Sequence, residues 1–268
     1  MDTQEQDKKQ ILDVNATTSD RTGWSGFLES VMRKFKELSF ILVMAPVAVL
    51  YVFCTGVSLI PGVTLYRQME IWTANSSHMW QNVGMAFSIG AGFFLYGFTL
   101  IFVVPTVNKL LPLKVKPHRA TWYSLSVVPW YYHNALTYLA RYTFLEFITP
   151  TPLNRLFYKM MGMKIGKGTI INTTNISDPC LIEIGDYVTI GGSCTLVAHY
   201  GMKGFLIIDR LVIEDKATIG LKATIFGDVV IGKGAMVKPN EVVMPKTRIP
   251  AREEGPKEVP KERESLPA

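Results

Sequence analysis

The sequence predicts an α+β membrane protein in which a transmembrane helical hairpin and interfacial helices precede a parallel β-helix. Of its 268 residues 48% are hydrophobic and only 19% are charged, which is too apolar for an ordinary soluble domain. The apolar residues are concentrated in two uncharged N-terminal segments. The last third is charged throughout and carries an aliphatic residue at every sixth position. The chain therefore divides into a membrane part and a water-soluble part.

Charge and cysteine content exclude some classes of function. The formal net charge is +6, and no basic patch is interleaved with stacking aromatic residues, so we expect no nucleic-acid partner. Cys54, Cys180 and Cys194 are odd in number and lack metal-ligand spacing. They predict neither a disulfide framework nor a zinc site, and they fit a reducing compartment.

The N-terminal region begins with a polar segment, residues 1–23, which we expect to be a flexible tail and which is too polar for a signal peptide. Apolar residues then recur at helical spacing while Arg33, Lys34 and Lys36 lie off their face. These apolar positions are Trp24, Phe27, Leu28, Val31, Phe35 and Leu38. The pattern predicts a basic amphipathic helix on an anionic membrane, or else simply the start of the first membrane helix.

Residues 24–119 contain two segments that are long enough to span a bilayer. Leu38 to Ile60 is uncharged and reaches about 35 Å as a helix, enough to cross a hydrocarbon layer of roughly 30 Å. A second helix is predicted from Val83 to Val107. Its small residues, Gly84, Ser88 and Gly92, are spaced four apart and would let the first helix approach closely.

The distribution of positive residues predicts the sidedness. The connecting loop carries only Arg67 and Glu70, whereas basic residues precede the first helix and follow the second. The basic residues after the second helix are Lys109, Lys114, Lys116 and Arg119. By the positive-inside rule both ends of the hairpin, and the β-helix, lie on the cytoplasmic side.

Residues 120–162 are rich in aromatic side chains. The stretch 120–140 lacks formal charge, and a third crossing there would move the rest of the chain to the other side of the membrane. Pro129 interrupts it, aromatic residues outnumber Leu and Ile, and basic residues flank both ends. Because amphipathic aromatic rings prefer the headgroup zone, we predict interfacial helices on the cytoplasmic leaflet.

A six-residue repeat occupies residues 163–247. Seven consecutive positions hold one register, with a small or β-branched residue usually following four positions later: Ile207, Ile213, Ile219, Ile225, Ile231, Val237 and Val243. Period six matches neither an α-helix nor a half-buried strand. It predicts a three-sided coil of eighteen residues, with the aliphatic residue inside the prism and the small residue near its corner. Residues 248–268 alternate charges and prolines, which predicts a flexible tail.

Individual repeats have the form aliphatic, Gly, any, any, small, as in IGKGTI, IGDYVT, IGGSCT, IGLKAT and IGKGAM. This resembles the hexapeptide-repeat acyltransferases, which implies a left-handed coil, a homotrimer and an acyl-CoA donor. The membrane helices, followed by TPLNRLFYKMMGMKIGKGTIINT and TLVAHY, resemble a narrower branch. That branch is the membrane-attached C-terminal domains of polylysine-type non-ribosomal peptide synthetases and their stand-alone relatives. Because the chain has no adenylation or carrier domain, peptide-bond chemistry does not transfer directly.

His199 is the only histidine of the repeat region, and it precedes the only real break in the repeat. Residues 200–206 must leave the coil as a loop. The resemblance implies that His199 is the general base, a role that suits a group with a pKa near ~6.5. The alternative is an incidental surface histidine. Gly220, one coil further on, is our candidate for an oxyanion N–H, and Asp209 and Glu183 are candidates to orient the imidazole.

Coenzyme A, which the resemblance implies as donor, needs cations for its phosphates and small residues beside its pantetheine arm. The candidates are Lys222, Ala223, Lys233, Lys238 and Lys246, although solvated lysines that keep a barrel soluble would look the same. We expect no metal. A γ-type carbonic anhydrase shares the fold, but its zinc takes three histidines per site from neighbouring subunits, and this repeat region offers one.

The sequence thus predicts a membrane-bound acyltransferase that moves an acetyl or other short acyl group from a CoA thioester to a hydroxyl or amine. The anchor indicates an acceptor associated with membrane lipids, because a soluble acceptor would not require one. Two alternatives stay open. The chain could condense amino-acyl or peptidyl groups, or it could be a non-catalytic trimeric scaffold.

Overall fold

The computed structural model describes residues 16–19 and 21–252, so most of the predicted N-terminal tail and all residues beyond 252 lie outside the described residues. The helices are α1 (Gly23–Lys34), α2 (Lys36–Thr73), α3 (His78–Leu110), α4 (Val128–Thr143) and α5 (Pro152–Met160). Short 3-10 turns cover Leu125–Val127, Leu145–Ile148 and Pro179–Leu181.

Helix α1 is separate from the first long helix, because the backbone at Phe35 leaves helical geometry. Its inner face buries an ion pair in which Arg33 contacts Glu29 at 2.7 Å. Trp24 and Phe27 point outward and are exposed. The N-terminal pattern therefore forms a helix separate from α2, and its placement on a membrane surface stays a prediction.

Helices α2 and α3 extend beyond the predicted spans at both ends, and by length and composition each could cross a membrane. They pack closely along the predicted small-residue stripe. A Cβ on Gly62 of α2 would lie 3.0 Å from the Gly92 carbonyl oxygen, and one on Gly84 would lie 3.0 Å from Thr73. Glycine at these positions is what permits the approach.

The coil is a prism with three parallel sheets as its faces. The first face holds β2 (Lys164–Ile165), β5 (Ile182–Ile184), β10 (Leu211–Ile213), β13 (Val229–Ile231) and β16 (Arg248–Ile249). The second face holds β3 (Ile170–Ile171), β6 (Thr189–Ile190), β11 (Thr218–Ile219) and β14 (Met236–Val237). The third face holds β4 (Ile176–Ser177), β7 (Thr195–Val197), β12 (Thr224–Ile225) and β15 (Val242–Val243).

The repeat fills the prism as predicted. Ile219 and Ile225 are buried in its core, and Ala217 is fully buried near a corner. Two boundaries differ from the prediction. Ile207, the first member of the predicted register, is only half-buried, because it lies in a hairpin outside the coil. The coil also continues past residue 247, since Ile249 pairs with Ile231.

The predicted loop at 200–206 is a β-hairpin, formed by β8 (His199–Met202) and β9 (Phe205–Ile208). Lys203 and Gly204 form its turn with φ angles of 50° and 81°. A strand from the N-terminal part, β1 (His118–Thr121), pairs antiparallel with β9. Residues 120 and 121 are therefore a strand, and helical structure in this segment begins only at Leu125.

Helix α4 lies along the coil instead of forming a third crossing. The Trp130 ring near its start contacts His199, and the Tyr138 hydroxyl lies 2.7 Å from Ser177 Oγ. Its other side meets α2, where the Tyr51 hydroxyl donates to the Ala135 carbonyl at 2.8 Å. Its 16 residues reach only about 24 Å, less than a hydrocarbon core of about 30 Å. Helix α4 is therefore not one of the two described helices that are long and apolar enough to cross a membrane.

Candidate active site

His199 lies where the chain leaves the third face, between β7 and the hairpin. Its Nδ1 is 2.5 Å from Asp178 Oδ2, and its side chain is 20% exposed. A carboxylate can only accept, so the imidazole donates from Nδ1, and in the neutral ring Nε2 then carries the free lone pair. This is the tautomer that a general base requires.

Asp178 is fully buried, and its backbone has a positive φ of 57°. A buried carboxylate needs hydrogen-bond donors to offset the loss of water. Besides His199, Asn134 Nδ2 donates to Asp178 Oδ1 at 2.6 Å, and the Ala198 N–H donates to Oδ2 at 3.0 Å. Both carboxylate oxygens are therefore held in place, and the imidazole is held with them.

The coil register explains why Asp178 meets His199. Ile176 pairs with Leu196 and Ser177 pairs with Val197, so the next residue, Asp178, lies one coil before Ala198. The offset between these two coils is twenty residues, because Ile176 lies opposite Leu196. Counting eighteen or nineteen residues back from His199 reaches Leu181 or Cys180, so the repeat alone does not identify the acid.

The two acids suggested by the sequence do not orient His199. Glu183 lies on the first face, where its carboxylate pairs with Lys164 at 3.0 Å. Asp209 Oδ1 accepts the N–H of the next residue, Arg210, at 2.7 Å. Both predictions are wrong, because the register brings a residue of the preceding coil to the imidazole.

Aromatic rings form one wall of the site. The Trp130 ring from α4 meets the His199 ring edge-on, with a centroid distance of 4.9 Å and an interplanar angle of 77°. The ring of Trp122, just after β1, has its centroid 6.1 Å from that of Trp130, and it faces Gly201 of the hairpin. The membrane-proximal segment thus contributes side chains directly to the site on the coil.

Gly220 is not an oxyanion donor. Its N–H donates to the Val237 carbonyl at 2.9 Å, within the stacking of the coils. Gly220 also lies beneath Gly191, whereas Gly227 is the residue beneath Ala198. The prediction is wrong because the hairpin adds residues to this coil. The residues of the next coil that lie beneath it are therefore further along the sequence than the repeat length predicts.

The predicted cofactor residues do not form one group. Ala223 is fully buried inside the prism and cannot contact a ligand. Lys222 and Lys238 follow second-face strands and Lys233 follows a first-face strand, which places them at two other corners. Lys246 lies between the third and first faces, at the corner that also holds His199. It lines a cavity of about 450 Å³ with Tyr200, Gly201, Met202, Phe226, Met244 and Pro245.

Two other titratable groups near Asp178 are held neutral. Burial lowers the pKa of His133 to about 4, although the charge of Asp178 opposes the shift, and its Nδ1 lies 3.0 Å from Asn108 Oδ1. Burial, with the Asp178 charge, raises the pKa of the Cys180 thiol to about 12. Neither group can supply the base or a thiolate nucleophile at neutral pH. Within residues 16–19 and 21–252, no three His, Cys, Asp or Glu side chains form a potential metal site.

Comparison with known proteins places the coil among several relatives, although no protein-family model matches the chain. It is 21% identical over 164 residues to the delta-poly-L-ornithine synthetase of Acinetobacter baumannii, covering 59% of this chain and 12% of that protein. It is 32% identical over 93 residues to the putative acetyltransferase YvoF of Bacillus subtilis, covering 34% and 54%. It is 36% identical over 95 residues to the mitochondrial gamma carbonic anhydrase 2 of Arabidopsis thaliana, covering 34% and 30%.

Among solved structures, the serine acetyltransferase of Neisseria gonorrhoeae aligns over 71% of this chain and 73% of its own, at 19% identity. Its TM-score is 0.29, too low to support an inference. The chain spans between 12% and 54% of the length of the curated relatives named above. The repeat, the coil that it forms and the curated relatives together confirm the resemblance to the hexapeptide-repeat acyltransferases.

Proposed function

We propose that the protein is a membrane-bound acyltransferase that moves an acetyl or other short acyl group from a CoA thioester to a hydroxyl or amine of a membrane-associated acceptor. The observation that carries the proposal is the Asp178–His199 pair at 2.5 Å. Its imidazole is reachable from solvent while its orienting carboxylate is buried. A scaffold protein has no need to bury a carboxylate, at a cost in desolvation energy, against an imidazole that is 20% exposed.

The pair can carry out a complete transfer. His199 Nε2 accepts the proton of the acceptor O–H or N–H as that oxygen or nitrogen forms a bond to the thioester carbonyl carbon. The carbon–sulfur bond then breaks, and the imidazolium returns its proton to the departing sulfur. The products are the acylated acceptor and free CoA thiol. Asp178 remains a carboxylate throughout and stabilises the imidazolium.

The anchor supports the membrane location. Helices α2 and α3 form an antiparallel pair whose outward side chains, among them Val52 and Phe87, are large, apolar and exposed. The N-terminal end of α2 and the C-terminal end of α3 both lie toward the coil, and basic residues flank these two ends. With the positive-inside rule, this supports a coil on the cytoplasmic side, where CoA thioesters are made.

The outer faces of the coil support a homotrimer. The first face presents Lys164 and Arg248 to solvent, whereas the second and third faces present exposed apolar side chains. These are Ile170, Leu221, Met236 and Val242. These apolar side chains are available for an interface, and a second copy of the chain is the partner that the family resemblance implies. We also infer the left-handed winding from that resemblance.

The acyl-CoA donor fits a cavity at the corner of the coil that holds His199. The cavity of about 450 Å³ beside the hairpin has apolar walls for a pantetheine arm and one cation, Lys246, for a phosphate. A neighbouring subunit on the third face would close this groove. The second candidate function, condensation of an amino-acyl or peptidyl group, is favoured by the similarity to the polyornithine synthetase. It would use the same base on an amine.

The test uses the full chain in nanodiscs made from total membrane lipid, with acetyl-CoA labelled in its acetyl group. We expect label to enter the lipid fraction, and His199→Gln to reduce its rate about 10²–10⁴-fold. His78→Gln, an exposed histidine at the start of α3, is the matched control. Transfer that persists in His199→Gln would contradict the proposal, as would no labelled product with the wild type. In the latter case, aminoacyl thioesters test the second candidate.

A further inference from the structure

Resting on the proposed function, we propose that the acceptor is a hydroxyl-bearing amphiphile that reaches His199 from the lipid through an aromatic cavity. This cavity, the acceptor port, has a volume of about 350 Å³. It is lined by Glu37, Phe40, Ile41, Trp122, Tyr123 and Tyr131. It belongs to neither the donor groove beside Lys246 nor the contacts that orient the imidazole.

The position of the port suits a ligand that arrives from a bilayer. Three of its residues lie in the first turns of α2, where Phe40 is 42% and Ile41 is 62% exposed. The Lys36 ammonium lies 5.7 Å from the centre of the Tyr123 ring. Lysine, tyrosine and tryptophan together are typical of the headgroup level of a membrane. The port therefore opens where the apolar chain of an amphiphile meets its polar end.

A series of ring contacts joins the port to the base. Phe40 meets Tyr131 edge-on at 5.5 Å, Tyr131 meets Trp130 at 5.0 Å, and Trp130 meets His199 at 4.9 Å. Trp130 thus contacts both the port residue Tyr131 and the imidazole of His199. We infer that a molecule seated against Tyr131 presents its end group to His199 Nε2 by displacing the Trp130 ring.

Two buried polar atoms next to port residues have no partner among the described residues. They are Thr121 Oγ1, adjacent in sequence to Trp122, and the indole Nε1 of Trp130, whose ring contacts Tyr131. Buried hydrogen-bonding groups are nearly always satisfied, so we infer that a ligand in the port supplies their partner. A ligand without a polar end group would leave both of these groups without a hydrogen-bond partner.

The chemistry of these atoms selects a hydroxyl. An indole N–H can only donate, so its ligand must offer a lone pair, which an ammonium group lacks. A hydroxyl oxygen can accept from Trp130 while its proton is directed to a base. The formal charges at the port are the Glu37 carboxylate of its lining and the Lys36 ammonium beside Tyr123, so no net positive charge is available to hold a phosphate or carboxylate. We therefore assign the port to an amphiphile with a neutral hydroxyl end group.

The first experiment does not depend on activity. The full chain in phosphatidylcholine nanodiscs is irradiated with a long-chain alcohol that carries a diazirine near its hydroxyl, and labelled residues are located by mass spectrometry. We expect label on the port residues of α2 and α4, several-fold above that from a diazirine-bearing phosphatidylcholine without a free hydroxyl. Equal labelling of the port by both probes would overturn the proposal.

Two variants of the port, Phe40→Ala and Thr121→Val, and one control variant, Phe87→Ala, extend the labelling experiment. Phe40→Ala removes a wall of the port, and Phe87→Ala removes a lipid-exposed phenylalanine of α3 that lies outside it. Thr121→Val removes one unpaired hydroxyl and should keep or raise the melting temperature, because an unsatisfied buried group is lost. We expect Phe40→Ala and Thr121→Val to reduce port labelling several-fold and Phe87→Ala to leave it unchanged. Unchanged labelling in the first two would overturn the assignment.

Acetyl transfer to the same alcohol separates this proposal from the proposed function. Port labelling without CoA release from acetyl-CoA would reject the acyltransferase while supporting the port. CoA release with acetylation of the alcohol, but with no port labelling and an unchanged KM for the alcohol in Phe40→Ala, would support the acyltransferase and reject the port. For the port we expect KM for the alcohol to rise about ten-fold in Phe40→Ala, the scale of a lost apolar contact.

Discussion

Asn134 and Asp178, 44 residues apart, exchange two hydrogen bonds. The Asn134 amide nitrogen donates to the Asp178 carboxylate at 2.6 Å, and the Asp178 backbone N–H donates to the Asn134 side-chain oxygen at 2.9 Å. The preceding residue, His133, is joined to Asn108 in the last turn of α3. The hairpin of α2 and α3, helix α4 and the acid that orients His199 are thus connected through two adjacent side chains.

This connection predicts that Asn134 is a positioning residue. Asn134→Leu keeps a similar volume but removes both hydrogen bonds, so Asp178 loses its alignment on His199. We expect kcat to fall about 10²-fold, as misplaced catalytic groups commonly cause, with little change in KM for acetyl-CoA. Acetyl transfer in nanodiscs measures both constants.

Asn172→Ala, at an exposed amide of the coil, is the matched control and should behave as wild type. The rate of histidine carbethoxylation by diethylpyrocarbonate, resolved by mass spectrometry, provides a second readout. It should change at His199 in Asn134→Leu and stay constant at His78. A lower melting temperature with wild-type kcat would mean that Asn134 is merely structural.

A second prediction identifies the acid that orients His199. Asp178→Asn keeps the shape of the side chain but can present an N–H to Nδ1, which favours the wrong imidazole tautomer. We expect kcat to fall about 10²–10⁴-fold, the scale of general-base loss. Glu183→Gln and Asp209→Asn, the two acids suggested by the sequence, should keep wild-type kcat. A large effect of either, with Asp178→Asn active, would contradict the assignment.

The contrast between these acids shows what a sequence alone can predict here. The coil was predictable because the aliphatic side chain at every sixth position must fill the prism, as Ile219 and Ile225 do. The role of Asp178 was not predictable, because its coil departs from the eighteen-residue length near Pro179 and because its partner Asn134 lies on a separate helix. The pairing of β1 with the hairpin was hidden for the same reason. Thr121 and Phe205 are neighbours only through long-range strand pairing.

The donor groove supplies a third prediction. Lys246 is the only one of the four candidate lysines at the corner that holds His199. A lysine that contacts a phosphate contributes a charge-assisted hydrogen bond, so we expect Lys246→Ala to raise KM for acetyl-CoA about ten-fold with kcat unchanged. Lys222→Ala, Lys233→Ala and Lys238→Ala are controls at other corners. If one of these raises KM and Lys246→Ala does not, the groove lies elsewhere on the coil.

A fourth prediction concerns the pH dependence of stability. Because burial lowers the pKa of His133 from 6.5 to about 4, the unfolded chain binds a proton in this range that the folded chain does not. Stability therefore falls as the pH drops through that window, and it is unaffected by this residue above it. The size of the shift corresponds to about 3 kcal/mol of unfolding free energy at pH 4.

The measurement is the melting temperature in nanodiscs between pH 7 and pH 4 for wild type and His133→Gln. Glutamine can still hydrogen bond to Asn108 but does not titrate, so its melting temperature should decrease less over this range. The difference between the two curves measures the contribution of His133. Parallel curves would mean that His133 is protonated in the folded protein or that α4 releases it before the chain unfolds.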